Sequence, residues 1–407
     1  MLPKLFTAVF LLFFISVTAQ YKNDNVLYKT VDPDDLCAAL QKNSGYLLLD
    51  VRSAGENCDT SSMGLNIGHL NGAKNIDVRE LGSRLSEIKN YKNQPVFVYC
   101  SHSQRSRRAS KMLADSGFTK VYNINGGMTA IYYTNAREKD CLQSLVETNN
   151  KYAIISAADL CNKLSVKNNN VFILDVRNDS AFRHISTDAK FNAYGSLQKA
   201  VNIPLVDLEI KLSTIPKDKD IVIIDLFSSD AQKAASLLKA KGFADVSVLI
   251  EGISRWLSMD EMDVPCKNKW YVSPVSYKIM STTEFGRFTQ TNKSYLLLDI
   301  RTPDEFANKY KDSWRNIGHL KNAINIPAAD INNRITELQA YKNKDIIIYG
   351  FSGDTESFAA ADTLFQLGFK KIIVLNNGLF NIRWTAANHK EQDYLKDLVT
   401  DVPEINW

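Results

Sequence analysis

Past its first residues this sequence has no long apolar run. No later stretch is long or apolar enough to span a bilayer, which argues against a polytopic membrane protein. It has no surplus of one charge: 49 Lys and Arg face 45 Asp and Glu, and the net +4 is spread along the chain. A basic footprint for nucleic acid is therefore missing. Cysteine is scarce, with six residues in 407. None follows the small residues Val17-Thr18-Ala19, so a lipid anchor at that point is not indicated. No residue pattern calls for a metal or a cofactor.

What is present is ordinary globular composition, 45% hydrophobic and 23% charged. The length suggests two to four domains. Lys4, the apolar stretch over 5–17 and the small residues before Gln20 read as a cleaved signal peptide over 1–19. That reading predicts an exported chain, periplasmic or secreted, free of the membrane after cleavage and in a compartment that permits disulfides.

One passage occurs three times. Asp50-Val51-Arg52, Asp175-Val176-Arg177 and Asp299-Ile300-Arg301 each end an apolar strand, and their aspartates are 125 and 124 residues apart. Gly117-Phe118, Gly242-Phe243 and Gly368-Phe369 repeat at spacings of 125 and 126. Between them lie Gly68-His69-Leu70, Gly195-Ser196-Leu197 and Gly318-His319-Leu320, read as loops, each followed by an Asn-Ile strand. This period is too long for a solenoid and fits whole domains, placed at residues 28–145, 151–268 and 275–400. Runs such as Ile221-Val222-Ile223-Ile224 are apolar on both faces, as parallel strands covered by helices on both sides must be. The fold class is α/β, each domain a mainly parallel central sheet flanked by helices. In the first domain the pattern predicts a helix opened by Asp32-Pro33, strands over 46–51, 73–76, 96–99 and 120–124, and helices over 80–88 and 106–116.

The cysteines follow the repeat. Cys37 and Cys161 are 124 apart, Cys141 and Cys266 are 125 apart, and the third domain lacks both positions. Joint loss is what a bridge predicts, so Cys37–Cys141 and Cys161–Cys266 are expected disulfides. Cys58 and Cys100 remain.

Cys100 ends the strand Val96-Phe97-Val98-Tyr99. Its counterparts are Asp225 and Gly350, neither of which replaces a thiol nucleophile. The loop Ser101-His102-Ser103-Gln104-Arg105-Ser106 leads into a helix, a turn whose amides and helix dipole stabilise an anion. A cysteine in such a setting is ionised more readily than a free one. The run Arg105-Ser106-Arg107-Arg108 is either a solvated helix face or a local attraction for an anionic substrate.

Taken together, Asp50-Val51-Arg52, Gly68-His69-Leu70 with Asn75-Ile76, Cys100 with Arg105-Ser106 after four intervening residues, and Gly117-Phe118 through Asn125-Gly126-Gly127 resemble a rhodanese domain. The resemblance recurs in all three copies. It implies sulfurtransferase chemistry at Cys100, with a small sulfur-containing anion such as thiosulfate as donor and a thiol or cyanide-like acceptor. It implies that residues 101–106 bind the anion and that Asp50, Arg52 and His69 are supports. Related phosphatases carry a longer loop, with five residues between Cys and Arg. Many active members have glycine in mid-loop, where this chain has Ser103. Cys58, in the loop after Arg52, is a candidate resolving thiol, which would make the chain a redox relay. The second and third copies are expected to be inactive and to serve as scaffolds, substrate-lid partners or binding modules for a protein partner. A non-catalytic binding protein is the remaining alternative.

Overall fold

The computed structural model describes residues 27–62, 64–133 and 136–403. The signal-peptide segment lies outside them. In the first domain β1 (Lys29–Val31), α1 (Pro33–Lys42), β2 (Leu47–Asp50), α2 (Ala54–Asn57), β3 (His69–Leu70), β4 (Lys74–Asn75), β5 (Val96–Tyr99), α3 (Gln104–Asp115), β6 (Val121–Ile124), α4 (Gly127–Tyr132), α5 (Ala136–Leu145) and β7 (Val146–Glu147) follow one another. Five strands make a wholly parallel sheet in the order β1-β6-β5-β2-β4. Val96 to Tyr99 are fully buried, as an apolar run sandwiched between helix layers should be. The second and third domains build the same five-stranded parallel arrangement. The register also repeats: Asp50 faces Tyr99, Asp175 faces Ile224 and Asp299 faces Tyr349. Each Asp-x-Arg motif therefore stands beside the residue that precedes position 100, 225 or 350.

Several expectations shift in detail. The Gly-x-Leu segments are not loops. His69–Leu70 pairs antiparallel with β7, and the same ribbon forms in the other two domains. The helix expected over 80–88 is a 3-10 helix, Leu81–Tyr91. Asp32 precedes α1 in extended conformation, but its side chain does not cap the helix. Asn125 Nδ2 donates to Asp32 Oδ1 at 2.7 Å and holds the carboxylate elsewhere.

Both expected disulfides are formed, Cys37–Cys141 and Cys161–Cys266, each tying its domain's first helix to its C-terminal segment. In the third domain the first helix, Thr282–Thr291, carries Gly286 at the corresponding place. A Cβ there would sit 2.3 Å from Tyr394 Oη, so an aromatic side chain occupies the space a bridge would need.

The three domains touch in a cycle built from equivalent parts. Tyr133, just after α4, donates its hydroxyl to Ile250 O of domain 2 at 2.9 Å. Ser258, the same position in domain 2, receives Asn376 and Asn377 of domain 3 at 3.0 and 2.9 Å. Trp384, the same position in domain 3, lies 5.2 Å from the Arg107 guanidinium of domain 1. One turn further, Asn388 O receives Asn125 Nδ2 at 2.6 Å. Repeated head-to-tail contacts close on themselves here, as in a ring with approximate threefold symmetry. Domains 2 and 3 also share one apolar cluster, with Tyr194 edge-on to Phe358. No helix among the described residues is long and apolar enough to cross a membrane.

Candidate active site

The site is the turn between β5 and α3. Cys100 is 1% exposed, its side chain grouped with the apolar residues beside the sheet. Its carbonyl receives Met128 N at 2.8 Å, and Ser101 O receives Thr129 N at 3.1 Å. This fastens the loop to the start of α4. Gly127 is required there: a Cβ would stand 2.1 Å from Cys100 O, and its φ is +58°. Gly252 and Gly378 meet Asp225 O and Gly350 O in the same way.

The loop is tighter than the sequence suggests. Helix α3 starts at Gln104, not near Ser106. The reversal is made by Ser103 alone, at φ +79°, a left-handed conformation that glycine adopts at less cost. Its hydroxyl accepts a short hydrogen bond from Gly126 N and lies 3.4 Å from Asn125 Oδ1. Ser228 does the same in domain 2, at φ +80° and with Glu251 N as donor. Ser106 faces inward, bonding Asn123 Oδ1 at 2.7 Å and Ser103 O at 3.1 Å. His102 and Gln104 are exposed.

The basic run divides. Arg105 reaches back to Glu56, with both nitrogens at 2.6 Å from the carboxylate, and to Ser101 Oγ at 2.9 Å. Arg107 packs on Trp384, and burial lowers the pKa of its guanidinium. Of the three arginines only Arg108 is exposed, so neither a solvated face nor a free basic cluster describes the run.

Glu56 was not singled out in the sequence, although a signal existed. Ser53-x-x-Glu56 is a capping box, and both of its reciprocal bonds are formed. Burial would raise the Glu56 carboxyl; the bonds and charge of Arg105 outweigh it and hold its pKa below the ordinary value. Domain 3 keeps Glu305, which pairs with Arg315 because Thr355 stands in the place of Arg105. Domain 2 has Ala181 and Asp230 instead, and a cavity of about 290 Å³ opens there, lined by Arg177, Ala181, Phe191, Asp225, Phe227 and Asp230.

The two copies without the cysteine show what the turn holds. In domain 2 the Asp225 carboxylate accepts hydrogen bonds from Ser228 N, Asp230 N at 2.7 Å and Ala231 N at 3.0 Å. Burial still pushes its pKa up, against the pull of those amides. By the repeat, the corresponding amides of domain 1 belong to Ser103, Arg105 and Ser106. In domain 3 Asp354 turns back, and one oxygen accepts from Phe351 N at 2.9 Å and Ser352 N at 3.1 Å. Each of these two loops thus surrounds an aspartate side chain of its own with backbone amides.

Asp50 and Arg52 form a buried pair. Arg52 Nη2 bonds Asp50 at 2.7 Å and Gly68 O at 2.7 Å. Arg177 and Arg301 repeat both bonds with Asp175 and Asp299 and with Gly195 O and Gly318 O. The pair ties the β2 turn to β3 in every domain, with or without a cysteine nearby. His69 sits on the β3–β7 ribbon, its Nε2 3.5 Å from Glu147. Cys58 is an exposed free thiol just after α2, and Cys100 is also unbridged.

This architecture has known counterparts. The description "Rhodanese-like domain" fits residues 32–134, 156–259 and 284–384, and the chain belongs to that family, with three tandem copies. Its sequence relatives match about one domain's length. The uncharacterized protein YqhL of Bacillus subtilis is 34% identical over 119 residues, 29% of this chain and 84% of that protein. The thiosulfate sulfurtransferase GlpE of Shewanella oneidensis is 32% identical over 71 residues, 17% of this chain and 68% of that protein. A tRNA uridine(34) hydroxylase of Buchnera aphidicola is 28% identical over 131 residues and is covered over only 39% of its length. A solved thiosulfate sulfurtransferase from Pseudomonas aeruginosa aligns over 85% of this chain and 66% of its own, at 16% identity and a TM-score of 0.21. The family match and the sequence similarity to GlpE support sulfurtransferase-type activity for the chain.

Proposed function

We propose that domain 1 transfers sulfane sulfur through a persulfide on Cys100, and that domains 2 and 3 do not. The Cys100 thiolate attacks the outer sulfur of a donor such as thiosulfate. A new S–S bond forms to Cys100, the donor's own S–S bond breaks, and sulfite leaves with its electron pair. A thiol or cyanide-like acceptor then takes the terminal sulfur and returns the thiolate.

The observation that carries this reading is the aspartate held in each of the other two loops. Asp225 and Asp354 bring a carboxylate to amides whose domain 1 counterparts surround the end of β5. In domain 1 the persulfide takes the carboxylate's role, accepting from the amides of Ser103, Arg105 and Ser106. Arg105 adds positive charge while Glu56 fixes its direction. The two bridges are consistent with the exported, disulfide-permissive setting that we also propose. The test is turnover of thiosulfate with cyanide by the full chain and by Cys100→Ala. Loss of turnover in the variant supports the reading, whereas equal rates would leave a binding module.

A further inference from the structure

Cys100 is almost wholly buried, and domains 2 and 3 both grip the loop that follows it. From domain 2, Glu251 Oε1 lies 2.9 Å from His102 Nε2, and the same imidazole nitrogen lies 3.2 Å from Thr129 Oγ1. Glu251 is placed with evident constraint. It occupies a left-handed conformation, φ +57°, where domain 1 has Gly126 and domain 3 has Asn377. A glutamate is a poor choice for that backbone, since its Cβ is strained there. Its carboxyl is kept below its ordinary pKa by Arg255 and His102, against burial. Arg255 in turn lies 4.4 Å over the ring of Tyr133 from domain 1.

From domain 3, Asn388 O receives Asn125 Nδ2 at 2.6 Å. Asn125 Oδ1 faces the hydroxyl of Ser103, and the next residue, Gly126, donates to that hydroxyl. Neighbouring loop residues, His102 and Ser103, are thus held from two different domains. The contacts from domain 2 and from domain 3 meet domain 1 at the same strand-to-helix corner, His102 to Asn125.

We infer that domains 2 and 3 complete the domain 1 site as a clamp, with Glu251 as a positioning residue that acts through His102 to keep the loop closed over Cys100. The inference rests on Cys100 being the reacting thiol, but its test does not need sulfur transfer. In the full chain, the rate at which iodoacetamide alkylates Cys100 is read on its own peptide by mass spectrometry. Glu251→Gln and His102→Ala each raise that rate by about two- to fivefold, the shift expected on losing one partly exposed polar side-chain contact. The double variant rises no further than either single one, since both remove the same contact. His102 is exposed, so its replacement does not threaten the fold, and unchanged melting of His102→Ala verifies that. Unchanged alkylation in both variants, or effects that multiply in the double variant, would overturn the clamp. If alkylation responds while thiosulfate leaves no sulfur on Cys100, the clamp stands and the sulfurtransferase reading falls.

Discussion

Arg105 and Glu56 join through two hydrogen bonds of 2.6 Å each, locking the first turn of α3 to the capping box at α2. Glu56 is buried and Arg105 is partly exposed, with 6% and 31% of their side-chain surfaces accessible. Replacing Glu56 by Gln keeps the shape and removes the charge. A charge-assisted hydrogen bond contributes about 1.5–3 kcal/mol, so Glu56→Gln is expected to lower unfolding stability by about 2 kcal/mol at neutral pH. Urea unfolding measures it.

The same pair sets a pH dependence. The Glu56 pKa is lowered in the folded protein from an ordinary 4.5. A group whose folded value is depressed contributes stability above its unfolded value, and loses it as pH falls through the folded value. The stability gap between wild type and Glu56→Gln is therefore full at neutral pH and shrinks below pH 4.5. A gap that stays constant across that window would contradict the pairing.

Domains 1 and 2 each close a loop of just over a hundred residues with a disulfide, and domain 3 has none. Chain-entropy arguments assign about 4.7 kcal/mol to a loop of that size. Cys37→Ala should destabilise domain 1 by roughly 3–5 kcal/mol, on the scale of removing a native bridge. Limited proteolysis of the full chain under reducing conditions should then cut in domains 1 and 2 before domain 3. Peptide mapping without reduction should recover both bridged pairs.

Ser103 combines a left-handed backbone with a hydroxyl that receives Gly126 N. Ser103→Ala keeps the backbone cost and loses the acceptor, whereas Ser103→Gly loses only the acceptor. The glycine variant should therefore be more stable than the alanine variant by about 1 kcal/mol. The reverse order in thermal melting would mean that the turn is not held as described.

Much of this was readable in the chain because it contains its own alignment. Three copies in register exposed Cys100 as the odd residue, and the spacing of Cys37, Cys141, Cys161 and Cys266 disclosed both bridges. Strands such as Ile221-Val222-Ile223-Ile224 announced themselves by apolar runs. What escaped is carried by single side chains turning across space. Glu56 reads locally as a helix cap, and nothing nearby points to Arg105, 49 positions later. Asp354 looks like a loop residue until it folds back on the amides before it. The Glu251 contact crosses 149 positions and a domain boundary, beyond the reach of any local pattern. The early start of α3 was missed because Ser103 performs the reversal where a longer polar loop was expected.

The account stands most directly on the sulfur that Cys100 is proposed to accept. The full chain is incubated with thiosulfate, unreacted thiols are capped, and the Cys100 peptide is weighed. The account predicts the mass of one added sulfur atom on that peptide, its removal by cyanide, and no such adduct in Cys100→Ser. A Cys100 peptide that stays unmodified after thiosulfate, with its thiol still free, would contradict it.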